Sequence, residues 1–553
     1  MTARRSRVAC VGAGPAGLLL ALLLSRAGHE VDVFERSAPG ATYGFGVVFS
    51  EFSLARLGMV APDAVTAVLA RAARWDEVKV RRGGAASAVS HPFAAVERHA
   101  MLAALAKLAE EAGARLRFRT SVSAPDLCGG YDLVAAADGA RSAARAAFAA
   151  ELGAVTREGK GRYIWFGVDR AFDAMTFLFA DSPYGVLSAH VYPYAPGRST
   201  FLVEAGERTW RAAGFTDGRT RPAGWTDERA MAWCAEVFRD DLAGAGLLGN
   251  GSRWLPFTDV EARRWSTGRL ALIGDAAHTA HFSVGSGTTM ALDDAVELSR
   301  CLAGHDDVAG ALTAFESERR PEVARVQAAA WASRRMWEHP EEHAGLDPRT
   351  LLLRLLTRTG QSSGDHLTWL DPSLPERLGR PLTPPPETRI ITLAGAGEVS
   401  CGDACDGHAI RMPAELAARF ESGRFESGRF ESGRCPLVLD LTGEPRDPRD
   451  PRELEGVLEK MRSPKGILLR PGHGGDSEVE AAVELVERLA PGLDFAAVSR
   501  GEGEPDLARI GQMVLGERLA ARLPVVLVCG EDDLGYGWAH VQARRVAQVW
   551  LQA

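Results

Sequence analysis

Three glycines and an acid give the first chemistry in this chain. Gly12, Gly14 and Gly17, with Ala16 among them, stand between an apolar run at 8–11 and a leucine-rich helical segment, and Glu35 closes the next apolar run. Gly12 permits a tight turn, Gly14 lets backbone approach a pyrophosphate, and Gly17 lets helix and strand pack closely. Glu35 lies about twenty residues on, where a ribose hydroxyl needs an acceptor. The helix start would hold the phosphate charge. A dinucleotide site is therefore expected at the N-terminal end.

Two further groups have the same character. Asp138 and Gly139 end an apolar run, bringing a carboxylate and a flexible turn to a sheet edge; alone, Asp-Gly is a common turn. Gly274 and Asp275 end another, and Gly285, Ser286, Gly287 and Thr288 then lead into a helix. A carboxylate there can accept from a sugar or ribityl hydroxyl, and a helix start offers free N–H groups to negative charge. His278 and His281 lie between them; the plainer reading of each is a histidine satisfied within the fold.

The elements that must position these groups are legible in outline. Residues 96–112 have a helical apolar stripe, with Arg98 in the first turn and Gly113 as the stop. Segments 114–122 and 131–137 read as strands. Residues 163–204 alternate, predicting an antiparallel sheet inserted in the dinucleotide domain, with Trp165, Phe177, Phe179, His190, Tyr192 and Tyr194 on one face. Most such aromatics should only pack, and those nearest the cofactor could line a pocket. Residues 37–50 look too glycine-rich for a regular element. Tyr43, Phe45 and Phe49 in that loop either lie near a flat ligand or tuck beneath a surface loop, the second being slightly favoured.

Length allows two to four domains. The hydrophobic fraction of 46% and charged fraction of 25% are ordinary for a soluble chain, and a net charge of −8 without basic blocks argues against nucleic acid. Eight scattered cysteines fit a reducing compartment, and neither a signal peptide nor a membrane-length apolar run is found, so a cytoplasmic protein without a membrane partner is expected. Proline-rich 381–386 marks a boundary. Beyond it, 466–472, 493–499 and 524–530 read as parallel strands, and the repeats at 419–434 and 445–452 read as exposed connectors. Cys401, Cys405 and His408 lack a completing pair, so no metal is expected.

Taken in order, GAGPAG with Glu35 and Arg36, Asp138-Gly139 with Ser142 and Arg145, and Gly274-Asp275 with Gly285 and Gly287 resemble the class A FAD-dependent aromatic monooxygenases, to which p-hydroxybenzoate hydroxylase is similar. The resemblance implies an α/β fold, a Rossmann-type FAD-binding domain (about 1–75, 95–160 and 265–345) with an inserted antiparallel substrate sheet (about 76–94 and 161–264). It implies FAD, NADH or NADPH as reductant, and O2. Glu35 would hold the adenosine ribose, Arg98 contact FAD, Asp138 serve FAD and NAD(P)H, and Asp275 hold the ribityl chain, while amides at 286–289 face the flavin pyrimidine. The prolines usual after Gly274-Asp275 are absent, and His281 and Phe282 stand there instead. That loop, with YGFGVVFS, RYIWFGVDRAFDAMTF and LTRTGQSSGDHLTWLDP, resembles the salicylyl-CoA 5-hydroxylase and 2-aminobenzoyl-CoA monooxygenase/reductase group over residues 7 to about 385. It implies hydroxylation, through a flavin C4a-hydroperoxide, of an ortho-hydroxy or ortho-amino aryl thioester on CoA or a carrier protein. His281, His190 and Tyr192 are the candidates to polarise the substrate, and Tyr43, Phe45, Phe49 and Phe282 to line its pocket. The competing readings are a flavin-dependent halogenase or reductase and a non-catalytic flavin scaffold; a homodimer is allowed for. Residues 387–553 resemble the ends of an old-yellow-enzyme-like barrel, but too few remain for a fold needing about 250, which predicts a shortened α/β relic without FMN.

Overall fold

The computed structural model describes residues 5–379, apart from 223, 344, 360 and 363, together with seven later strands and Gln512. Two compact units divide the chain, Met1–Gly345 and Leu346–Ala553. That division precedes the proline-rich stretch, so the short helices Pro348–Thr357, Gly364–Leu370 and Leu374–Leu378 fall in the second unit.

The first unit holds two large sheets. In one, the strands run in the order Ser266–Thr267, Leu270–Leu272, Leu133–Ala136, Arg7–Val11, Glu30–Phe34, Arg115–Arg117, all parallel except the first pair. Val8 to Val11 and the strand at 133–136 are wholly buried, as parallel strands covered on both faces must be. Helix Pro15–Arg26 begins with proline, whose fixed φ suits the first turn. Its residues from 16 to 24 are all buried, because it packs against both Arg98–Glu111 and Gly287–Gly304.

The other sheet has eight strands, in the order Leu247–Leu248, Arg162–Val168, Arg198–Ala205, Gly185–Ala195, Met175–Ser182, Ala73–Arg82, Ala85–Glu97, Gly46–Ser50. Only Met175–Ser182 and Ala73–Arg82 pair in parallel. Alternation divides its faces: Ile164, Phe166, Leu178, Leu187, Ala189, Val191, Phe201 and Val203 join a core with Trp210, Phe238 and Trp254. The opposite face carries the expected aromatics, with Phe177, His190, Leu202 and Trp165 aligned in one row across four strands. Residues 46–50, read from sequence as part of a glycine-rich loop, are instead a strand paired with Ala85–Glu97. The β-favouring run Val47, Val48, Phe49 outweighs the glycines before it. The sheet therefore takes in 46–50 and 73–97, more than the expected 76–94.

In the second unit, strands Gly466–Arg470, Phe495–Ser499 and Val525–Cys529 stand where the sequence predicts them and pair in parallel. They belong to a seven-stranded parallel sheet in which Gln548–Gln552 returns beside Ala409–Met412. Gln512 is buried and its Nε2 donates to Val498 O at 2.8 Å. The repeats at 419–434 and 445–452, and Cys401, Cys405 and His408, lie outside the described residues. No helix of the described residues is long and apolar enough to cross a membrane.

Candidate functional site

Parallel register decides where the three turn motifs meet. Val11 is level with Ala136, and Ala136 with Leu272, on three adjacent strands. The segments that follow, with Gly12, Asp138 and Gly274, thus leave the sheet along one carboxyl edge, the edge at which open α/β sheets bind ligands.

Close packing at that edge explains the glycines. Gly12 adopts φ +108°, and a Cβ there would come 2.4 Å from Ala137 O; a Cβ on Gly17 would come 2.1 Å from Gly12 O. By contrast, nothing but Ala137 O, at 3.9 Å, lies near a Cβ built on Gly14, which leaves backbone open to a ligand. Gly14 caps its helix without a side-chain hydrogen bond, and Ser286 does the same for Gly287–Gly304, its hydroxyl donating instead to Val284 O. Two helix starts, at 14–17 and 286–289, therefore keep donors for a ligand.

The acids are placed to complement them. Glu35 accepts from Ala13 N at 3.0 Å and Ser37 N at 2.8 Å, retaining lone pairs for a sugar hydroxyl. Burial works against its charge, and those amides hold it below the usual carboxylate range. Arg36 beside it is exposed. Asp275 is the exposed member of a run whose neighbours are buried, so its carboxylate is presented outward. Protein crowding pushes it above the usual range against the pull of Arg98 and His278. Arg98 is half-buried, its Nε donating to Thr42 Oγ1 at 3.1 Å and its amide to Phe45 O at 2.8 Å. One oxygen of Asp138 accepts from Ala143 N and Ala144 N, while Oδ1 is buried without a partner. Arg145 ties that turn to the next, donating to Ala140 O and to Ala276 O. These open amides, outward acids and an orphaned buried oxygen fit a dinucleotide with two sugar-like segments and a pyrophosphate.

The glycine-rich stretch lies on the aromatic sheet face. Tyr43 meets Trp165 edge-on at 6.0 Å, and Phe45 lies where a Cβ on Gly167 would come within 2.7 Å of its ring. Asn250 Nδ2 clasps the loop through Gly44 O at 3.0 Å. Tyr43 and Phe45 are thus tucked beneath a loop, half-buried. Phe49 is separate from them, buried in the nucleotide-binding core. Phe282 is half-buried against Tyr163 at 5.0 Å, Phe257 at 5.9 Å and His190 at 5.8 Å. Phe177 and Phe179 stack on Trp337, so they pack. Tyr192 is half-buried with its hydroxyl donating to Gly46 O at 2.9 Å, and loss of solvation pushes it up to about 12.

The two loop histidines part company. His278 Nε2 lies 2.7 Å from Asp294 Oδ2, and Asp294 also accepts from Gly274 N at 2.8 Å and Arg319 Nε at 2.9 Å. His278 is thereby fixed within the fold. His281 and His190 instead flank Glu204, at 3.4 and 2.8 Å. Sequence reasoning missed both carboxylates. Glu204 had a signal, a charge at an inward position of an alternating strand; Asp294, on a helix with many acids nearby, had none.

Comparison with known proteins agrees with this geometry. Residues 82–330 match the FAD binding domain family, and residues 10–42 the NAD(P)-binding Rossmann-like domain. The chain is 40% identical over 365 residues to 3-hydroxy-4-methyl-anthranilyl-[aryl-carrier protein] 5-monooxygenase of Streptosporangium sibiricum, covering 65% of this chain and 95% of that protein. It is 42% identical over 339 residues to salicyloyl-CoA 5-hydroxylase of a Streptomyces species, covering 60% of this chain but only 65% of that longer protein. Protodeoxyviolaceinate monooxygenase of Chromobacterium violaceum is 31% identical over 356 residues, with 62% of this chain and 91% of that one covered. Tetrameric 2-methyl-3-hydroxypyridine-5-carboxylic acid oxygenase shares the fold, with a TM-score of 0.51 at 21% identity, covering 61% of this chain and 93% of that one.

Proposed function

This chain belongs to the FAD-dependent aromatic monooxygenases, and we propose that it hydroxylates an ortho-hydroxy or ortho-amino aromatic ring carried as a thioester on CoA or a carrier protein. One observation carries the reading: three glycine turns converge on one sheet edge beside an aromatic sheet face. In this reading Gly12, Gly14, Ala16 and Gly17 seat the FAD pyrophosphate and Glu35 its ribose. Asp275 takes the ribityl hydroxyls, Arg98 and Asp138 border the cofactor, and the Gly274 and Gly285 turns deliver amides of Ser286, Gly287 and Thr288 to the pyrimidine. Bound FAD supplies reducing equivalents from NADH or NADPH and activates O2. Tyr43, Phe45 and Phe282 then line a ring pocket and keep water out, which protects the oxygen transfer from wasteful side reactions.

Thioester rather than free acid is supported by what the sheet face lacks. The rows from Trp165 to Phe177 and from Tyr163 to Phe179 carry Glu204 and His190 and no arginine or lysine to clamp a carboxylate, and Arg82, the next residue along the second row, is engaged by Asp181. Names of the relatives point the same way, since one acts on a CoA ester and another on an aryl-carrier protein. CoA esters and reduced nicotinamides are cytoplasmic metabolites, so this reading places the chain there. The parallel pairing of the second unit is in keeping with a shortened relic of a barrel.

Purified protein should contain FAD and no FMN on acid release and chromatography. NADH and NADPH oxidation should be stimulated by salicylyl- or anthraniloyl-thioesters, with a product heavier by one oxygen in the mass spectrum. Stimulation by the free acids alone would remove the thioester reading.

A further inference from the structure

Glu204 is an acid in the wrong place for an ordinary sheet residue. It lies 4% exposed on the aromatic face, between His190 and His281, which are 6% and 3% exposed. His190 Nε2 is 2.8 Å from Glu204 Oε1, and His281 Nε2 is 3.4 Å from Oε2. An ionised carboxylate so buried is costly unless partners share the charge.

The tautomers can be worked out. Ser283 N donates to His281 Nδ1 at 3.4 Å, so that nitrogen is an acceptor. The proton of neutral His281 therefore sits on Nε2 and points at Glu204. His281 is held there by a chain of hydroxyls, Nδ1 to Ser283 Oγ at 2.9 Å and Ser283 Oγ to Ser333 Oγ at 2.7 Å. With His281 oriented as a donor, one proton remains for His190 and Glu204, whose Nε2 and Oε1 approach to 2.8 Å as an ion-pair contact without hydrogen-bond geometry. The three groups lie close enough for a proton taken up by one to be felt by the others.

The unit borders the reaction site. Tyr163 is the cross-strand partner of Glu204, which puts their side chains next to each other on the face. Tyr163 is also within electrostatic reach of Asp275, and Phe282 covers both histidines, 4.2 Å from His281 and 5.8 Å from His190.

We propose that His190, Glu204 and His281 form the proton store of ring hydroxylation, taking up the proton that the substrate's activating hydroxyl or amino group must lose. The O–H or N–H bond breaks and its proton passes to the His190–Glu204 pair. The electron pair stays on the substrate and enters the ring as the new C–O bond forms to one oxygen of the O2 activated with bound FAD; the O–O bond breaks, the second oxygen leaves as water, and the ring carbon loses its proton as aromaticity returns. His281 is a positioning residue, since it acts by holding Glu204. Burial raises Glu204 well above the usual carboxylate range and Glu338 adds to this, which favours its protonated form. The other titratable groups facing the unit are Tyr163, Glu338 with Arg334 at 3.5 Å behind it, and His343 beyond Phe179.

This inference rests on the proposed function, and the test separates the two. FAD-loaded parent, His190→Gln, Glu204→Gln and His281→Gln proteins are assayed from about pH 5 to 9 with an aryl thioester, following thioester binding by the flavin absorbance change, flavin reduction, and product formed per NADH. In the parent, hydroxylation falls as pH drops through the unit's titration. His190→Gln should lose that limb and hydroxylate about 10²- to 10⁴-fold more slowly, the range for a general base, with flavin reduction within about twofold. Glu204→Gln should move the limb to lower pH. His281→Gln should move it less. Should His190→Gln fail to retain FAD, the isosteric Glu204→Gln decides alone. The parent's limb kept in His190→Gln, or in Glu204→Gln where His190→Gln loses FAD, overturns the proton store; no binding by the parent overturns the proposed function instead.

Discussion

Two buried carboxylates, each touched by histidine, behave in opposite ways. Asp294, behind the nucleotide-binding edge, meets His278 at 2.7 Å and the Arg319 guanidinium at 2.9 Å. Burial pushes its carboxyl up, but His278 and Arg319 outweigh that and hold it below the usual range. Glu204, on the sheet face, is flanked by two imidazoles with Glu338 nearby, and it is raised. A fixed cation makes an anchor, because its charge cannot be withdrawn. Partners that titrate make a store, because the proton can move among them at little cost.

Replacing the anchor should give the largest effect. Asp294→Asn leaves Arg319 without its buried counter-charge and loosens the amide of Gly274, so we expect a loss of about 3–5 kcal/mol and weaker FAD retention, read by denaturant unfolding and by flavin released on dilution. A variant that unfolds like the parent would erase the distinction between the two sites. Next come the histidines three residues apart in one loop. His278→Gln should cost about 1–3 kcal/mol through the buried group left unpaired while leaving the pH limb of hydroxylation in place. His281→Gln should have the reverse pattern, a smaller stability loss and a moved limb. Tyr192→Phe should cost about 1 kcal/mol, since its hydroxyl ties Gly185–Ala195 to the edge strand through Gly46 O, and the same limb should persist, which removes Tyr192 from the proton path.

The contrast also explains what could be read in advance. The nucleotide edge is built from short-range spacing: Gly12, Gly14 and Gly17 carry their reason within a few residues, and so do Gly274 and Asp275. Such motifs stay legible because the constraint is local. The sheet-face residues were visible as alternation, which put His190 and Trp165 on one face. Alternation does not say which strands adjoin, so the meeting of Glu204 with residues 190 and 281 was invisible. Register across Gly185–Ala195 and Arg198–Ala205, and the fold of the loop holding His281, create it. Gly46–Ser50 illustrates the opposite error, where glycine content hid a strand that its pairing partner makes regular.

The smallest expected effect tests the comparison most directly, because the two carboxylates predict slopes of opposite sign. Glu204 has a folded pKa above its unfolded value, so its contribution is fully present below the ordinary glutamate range and is lost as pH rises through the folded value. Glutamine does not titrate. Relative to the parent, Glu204→Gln should therefore gain stability as pH rises above the ordinary glutamate range, by an amount on the order of 1 kcal/mol for each unit of displacement. Asp294 is depressed, so its contribution is present above the ordinary aspartate range and is lost as pH falls through the folded value. The deficit of Asp294→Asn should accordingly stay constant at neutral pH and shrink only in acid. Unfolding curves of both variants against the parent across that range measure the two slopes side by side. A Glu204→Gln difference that stays flat with pH would mean that Glu204 is held charged throughout, as Asp294 is, and that the sheet face carries a second anchor in place of a store.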